Sequence, residues 1–134
     1  MNIGTVAQRS GVPAKTIRYY ESIGLIKPAG RKENGYRTYD ERDVAVLKFI
    51  SRARHLGFPI PEVLRLLALW SDRRRASADV KTLAIGHIAA VEQRIRELEA
   101  MRQTLLDLVH QCHGDKRPEC PILEGLAGRN DAGH

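Results

Sequence analysis

The run IGTVAQRSGVPAKTIRYYESIG, residues 3–24, decides the fold class. A helical pattern opens around Thr5–Arg9, with Ile3, Val6 and Ala7 on one face. Ser10-Gly11-Val12 breaks it, because glycine tolerates the left-handed backbone that a tight turn requires. Pro13 then suits the start of a second helix, where its missing N–H would have no partner anyway. That helix is predicted over 14–23 and stops at Gly24, a favourable C-terminal cap. Two short helices about a glycine turn give the helix-turn-helix outline.

Outward from this run the character changes. Pro28, Gly30 and Asn34-Gly35 are breakers, and Asn-Gly is a strong hairpin signal because both residues accept positive φ. With Tyr36-Arg37-Thr38-Tyr39 alternating after it, the stretch predicts a small β-hairpin wing. Asp40 caps a third helix running from Glu41 to about His55, which Gly57 ends. A fourth helix follows from about Pro61 to Trp70.

From Ser77 or Ala78 a long helix begins. Ala84, Val91, Leu98, Leu105 and Cys112 recur at seven-residue steps, and His87, Arg94, Met101 and Leu108 lie three residues after each. Ile88, Ile95 and Val109 widen the stripe. So long an apolar seam cannot be buried inside a chain of 134 residues, so it calls for a partner helix, most simply from a second copy. The domain organisation expected is a winged helix-turn-helix over 1–70, a linker and dimerisation helix over 71–111, a loop with a short helix over 112–127, and a disordered tail over 128–134.

Charge placement narrows the function. Residues 1–70 carry 12 Lys/Arg against 6 Asp/Glu, whereas 71–134 carry 10 against 10, so the whole net charge of +6 sits in the N-terminal half. Concentrated positive charge favours a phosphate backbone as partner. The second helix offers Lys15, Arg18, Tyr19 and Tyr20, and in a helix-turn-helix this element enters the major groove. Tyr19 is expected in the core rather than at a contact. Arg31, Lys32 and Arg37 of the wing would grip flanking phosphates, and Arg52 and Arg54 stand late in the third helix. No acid/base pair, nucleotide loop or nucleophile constellation points to an enzyme. The opening is polar and no apolar stretch spans a bilayer, so the chain is expected in the cytoplasm with no membrane partner.

In a reducing compartment Cys112 and Cys120 are better read as ligands or reactive groups than as a structural disulfide. A structural zinc site wants four ligands, and two cysteines fall short unless histidines, with His110 and His113 nearest, complete it. Two thiolates suit a soft ion of low coordination number, above all Cu(I) or its congeners. Cys120 precedes Pro121 and should stand at the start of a short helix, where the positive helix end lowers a thiol pKa. A copper chaperone or buffer would need the thiols but not the basic N-terminal half.

The run from Asn2-Ile3-Gly4 through Tyr19-Tyr20-Glu21 and Gly24-Leu25-Ile26, then Arg31 with 33–39, ENGYRTY, resembles the MerR family of transcriptional regulators. Through the long helix and the cysteine loop, to about residue 127, the chain is most similar to the copper-efflux regulator (CueR/HmrR-like) branch. The resemblance implies a mainly α fold: a winged helix-turn-helix, an antiparallel coiled-coil homodimer and a C-terminal metal-binding loop with a short helix. It implies operator binding by Lys15, Arg18, Tyr20, Tyr36, Arg37 and Arg54, and linear binding of one monovalent ion, Cu(I), Ag(I) or Au(I), by Cys112 and Cys120, with no organic cofactor. Relatives that sense divalent ions resemble this chain but have cysteine where it has Ser77, which makes Ser77 a selectivity residue. Zinc sensors are similar but have a second cysteine at His113, which keeps Zn(II) in view, as a disulfide would keep thiol oxidation. The implied mechanism holds the dimer on a promoter whose elements are spaced too far apart for RNA polymerase. Metal binding then bends and untwists that DNA and activates transcription of copper, silver or gold efflux or detoxification genes.

Overall fold

A computed structural model describes residues 1–28, 30–31 and 37–128, with the backbone alone described at Arg31 and Arg37. The chain divides into two compact units, residues 1–84 and 85–134.

In the first unit α1 (Ile3–Ser10) and α2 (Ala14–Ser22) form the pair expected from residues 3–24. The first helix starts earlier than the apolar pattern indicated, because the Asn2 side chain accepts the Thr5 N–H at 2.9 Å, a side-chain cap worth about 1 kcal/mol. The turn depends on Gly11, at φ 76°, whose N–H reaches Ala7 O at 3.0 Å. Beside it the buried Ser10 hydroxyl oxygen accepts the Val12 N–H at 3.2 Å.

Two short strands follow, β1 (Gly30–Arg31) and β2 (Arg37–Thr38), paired antiparallel with Gly30 opposite Thr38 and Arg31 opposite Arg37. They bear out the wing; its Asn34-Gly35 turn, Lys32 and Tyr36 lie outside the described residues, as do 129–134 of the expected tail. Helix α3 (Glu41–His55) begins with a capping box, in which Asp40 and Asp43 each accept the other's backbone N–H. Helix α4 (Ile60–Ser71) starts one residue before Pro61, where the sequence pointed, and carries that proline in its first turn. The core joins these helices through Val6, Ile17, Leu47, Ile50 and Val63, all essentially inaccessible, with Tyr20, Leu25, Tyr39 and Phe58 around them.

Tyr19 corrects one expectation. It is 54% exposed, while Tyr20 is 8% exposed and occupies the core. The reason is helical phase. Tyr20 stands three residues after the buried Ile17 and shares its face, whereas Tyr19 stands four after the exposed Lys15.

Helix α5 (Ser77–Gln111) has 35 residues, about 52 Å at 1.5 Å per residue. None of its residues is buried. The second unit holds most of this helix and ends in α6 (Pro121–Leu126). Among the described residues no helix is long and apolar enough to cross a membrane.

Candidate functional site

Two constellations carry the chemistry, one in each unit. In the first, the exposed side chains of α2 are Lys15, Arg18, Tyr19 and Ser22. Their spacing of three, four and seven residues from Lys15 places them on one stripe, opposite the face that Ile17 and Tyr20 bury. Lys15 and Arg18 therefore project from the second helix, as the sequence requires of groove-entering residues, whereas Tyr20 supports that helix from within. The Ser22 hydroxyl donates to Tyr19 O at 2.6 Å and secures the end of the stripe.

The parts around α2 are tied down by polar contacts. Tyr39, directly after β2, donates its hydroxyl to Glu21 of α2. Its N–H donates to Met1 O at 2.8 Å. Arg9 of α1 pairs with both carboxylate oxygens of Glu41 at the start of α3, the second contact at 2.7 Å. This hydrogen-bonded pairing raises the Arg9 pKa and lowers that of Glu41. Arg31 and Arg37 stand opposite each other across the wing ladder. Arg54 is exposed and donates from Nη1 to Phe58 O at 2.8 Å. That bond closes the turn between α3 and α4, where Gly57 has φ 88°. A guanidinium has five N–H donors, so one bond to the turn leaves others to face a phosphate. Ser77 is exposed at the first position of α5.

In the second unit Cys112 follows the last residue of α5, its N–H bonded to Val109 O at 3.1 Å. Gly114, at φ 67°, turns the chain. Asp115 then accepts the Arg117 N–H at 2.9 Å and the Arg117 guanidinium at 2.7–2.8 Å. The Arg117 contacts hold the Asp115 carboxyl below its ordinary pKa. Sequence reasoning passed over this turn, although an aspartate that bonds its own backbone two residues on is a recognised loop device. Cys120 is the N-cap residue of α6, where the expectation put it.

Both cysteines are free and partly buried. Their thiols lie near each other across the loop, and the Cys112 thiol is among the influences that lower the Cys120 pKa. No capping hydrogen bond of full geometry runs from Cys120 to the helix, yet the N–H of Leu123 is the largest influence lowering its thiol pKa. Burial opposes it, the Ile122 N–H and the Cys112 thiol reinforce it, and the Glu124 carboxylate opposes it. The net direction is down, so the thiolate forms more readily than in a free cysteine. His110 and His113 are exposed. Among the described residues no group of three or more His, Cys, Asp or Glu side chains is gathered as a metal site. A closely spaced thiol pair, one member already favouring its anion, suits a soft ion of low coordination number.

Comparison with known proteins identifies the family. The family described as MerR HTH family regulatory protein matches residues 1–69, and the one described as MerR, DNA binding matches 44–108. Heavy metal-dependent transcription regulator 2 of Rhizobium meliloti is 54% identical over 127 residues, which are 95% of this chain and 86% of that protein. The HTH-type transcriptional regulator CueR of Salmonella typhimurium is 44% identical over 128 residues, 96% of this chain and 93% of that one. Among solved structures, the lead(II)-bound transcription regulator PbrR691 from Ralstonia metallidurans CH34 superposes with a TM-score of 0.78. It is 34% identical over 94% of this chain and 98% of its own.

Proposed function

The chain belongs to the MerR family of non-enzymatic, DNA-binding transcription regulators, and from that premise we propose that this metal-responsive member answers to Cu(I) through Cys112 and Cys120. The observation that carries the reading is the placement of two free, partly buried cysteines at the two ends of one loop, Cys112 just after α5 and Cys120 at the start of α6. Two thiolates cancel the charge of a divalent ion but leave a monovalent one with a single negative charge. Ser77 supports the monovalent choice, since it supplies no further thiolate.

The remaining parts follow from the first unit. It binds promoter DNA, with α2 presenting Lys15 and Arg18 to the major groove and Arg31, Tyr36, Arg37 and Arg54 holding flanking backbone. Two copies joined through α5 match a two-fold operator. Ion binding at the thiols favours a protein state that distorts the promoter so that RNA polymerase engages it. Smooth bending of an operator costs on the order of 1–6 kcal/mol, and a monovalent ion held by two thiolates has to favour the distorting state by at least that much. Coupling is reciprocal, so operator DNA changes Cu(I) affinity by the factor that Cu(I) changes the protein's preference for distorted DNA. Its expected setting is the cytoplasm, where the thiols stay reduced.

The test is transcription in vitro from the cognate promoter with purified polymerase. Cu(I), Ag(I) and Au(I) are expected to raise transcript yield; Cys112→Ser abolishes that rise and leaves operator footprints largely unchanged. Induction surviving in Cys112→Ser, or footprints lost with it, refutes the assignment. Two free cysteines at the ends of one loop also suit a Cys112–Cys120 disulfide, so a thiol oxidant runs in parallel. Activation by oxidant without metal favours redox sensing, and activation by Zn(II) alone favours a divalent sensor.

A further inference from the structure

Helix α6 lies against α5 at one close point. A Cβ built on Gly125 would stand 2.6 Å from Leu108 Cδ2, with Leu108 Cδ1 and Cγ at 3.5 and 3.6 Å. Carbons do not approach each other to 2.6 Å, so a methyl group there requires the partly exposed end of the Leu108 side chain, or α6 itself, to move aside. Backbone freedom does not explain the residue, because Gly125 is absent from the glycines with positive φ. Within a helix glycine is less favourable than alanine. What it provides here is proximity.

That proximity bears on the thiols. Leu108 precedes Cys112 by four residues on α5, and Gly125 follows Cys120 by five through α6. The Leu108–Gly125 approach therefore closes, one step further out, the same loop that Cys112 opens and Cys120 ends. We propose that Gly125 is a positioning residue: by letting α6 sit directly on Leu108 it sets the distance between the two sulfurs. The inference rests on the reading of that pair as the ion's ligands, but the thiol separation itself is testable without metal.

Helix propensity and sterics predict opposite signs for Gly125→Ala. Propensity alone favours α6 and tightens the pair. The added methyl group instead forces Leu108 or α6 to give way, as overpacking does. We expect Cu(I) affinity, measured anaerobically by competition with bicinchoninate, to fall roughly tenfold in Gly125→Ala. In the metal-free protein, diamide removes two electrons and two protons from the thiols and joins them as a disulfide. That rate is expected to fall in parallel, since it reports how often the sulfurs meet. Leu108→Ala opens space for the methyl, so adding Gly125→Ala to that background should change neither readout. Operator binding and dimerisation stay as in the parent protein in Gly125→Ala, whose substitution lies off the α5 seam. Unchanged or improved readouts in Gly125→Ala overturn the proposal, and so does the same loss in the Leu108→Ala background. If the parent protein binds no Cu(I), the functional reading fails while the diamide comparison still decides the role of Gly125.

Discussion

At the scale of single residues, the two cysteines were legible as a pair but not in how the loop brings them near each other. Their separation by seven residues is compatible with many loop paths. Adjacency depends on the Gly114 turn, the Asp115–Arg117 brace and the seat of α6, none of which a spacing rule contains. The polarity of Cys120 was legible, because proline at the next position marks a helix start. It yields a prediction with a sign. The Leu123 N–H is the largest cause lowering the Cys120 pKa, and Leu123 itself is 64% exposed. Proline is tolerated in a first helical turn, so Leu123→Pro deletes that N–H and little packing. In metal-free protein the alkylation rate of Cys120, followed by mass spectrometry, should rise with a midpoint below the ordinary value of 9.0. In Leu123→Pro that midpoint moves upward. Thiolate fraction governs ligation, so Cu(I) affinity near neutral pH falls with it. The linkage runs in one direction: a thiol with a depressed native pKa adds stability above its unfolded value, lost as pH falls through the native one. An unmoved midpoint would assign the lowering to another group.

At the scale of elements, helices with an unambiguous start or period were readable in advance and face assignments were less so. Glycine at 11, proline at 13 and aspartate at 40 mark boundaries by local chemistry, and α1, α2 and α3 form around them. Tyr19 and Tyr20 illustrate the opposite case. Neighbouring tyrosines have the same intrinsic preference, and only the phase of α2 relative to Ile17 decides which is buried. The wing falls between: two two-residue strands have little periodicity, so the Asn-Gly turn signal carried most of that prediction. The capping box of α3 provides the element-scale test. Asp40 accepts the Asp43 N–H at 3.0 Å and donates its own N–H to Asp43 at 2.9 Å. Asp40→Ala should lower the stability of the first unit by about 1 kcal/mol, and Asp40→Asn by much less. Urea denaturation reads this as a lower midpoint at constant slope. An equal loss in both variants would show that charge rather than hydrogen bonding matters there.

At the scale of the molecule, the decisive feature is the surface that a single chain leaves uncovered. From Ile85 to Val109, eight large apolar side chains of α5 are each at least 40% exposed, among them Ile88, Val91, Ile95, Leu98 and Leu105. Their steps of three and four residues form the seam of a coiled coil, and a stripe of this extent in water marks an interface. Leu98 sits mid-seam. Leu98→Glu places a carboxylate where the partner helix would desolvate it, and its own counterpart across the two-fold axis would add like-charge repulsion. Sedimentation velocity is expected to show monomers for Leu98→Glu at concentrations where the parent protein is dimeric. The consequence for DNA follows from charge. All of the net +6 sits in residues 1–70, so each copy brings its own set of phosphate contacts. Separating the copies should roughly halve the slope of log affinity against log salt. It should also weaken operator binding by about 10²–10⁴, because the second half-site is no longer engaged intramolecularly. A Leu98→Glu protein that stays dimeric, or a monomer that holds the full operator with an undiminished salt slope, would disprove that α5 joins the two DNA-binding units.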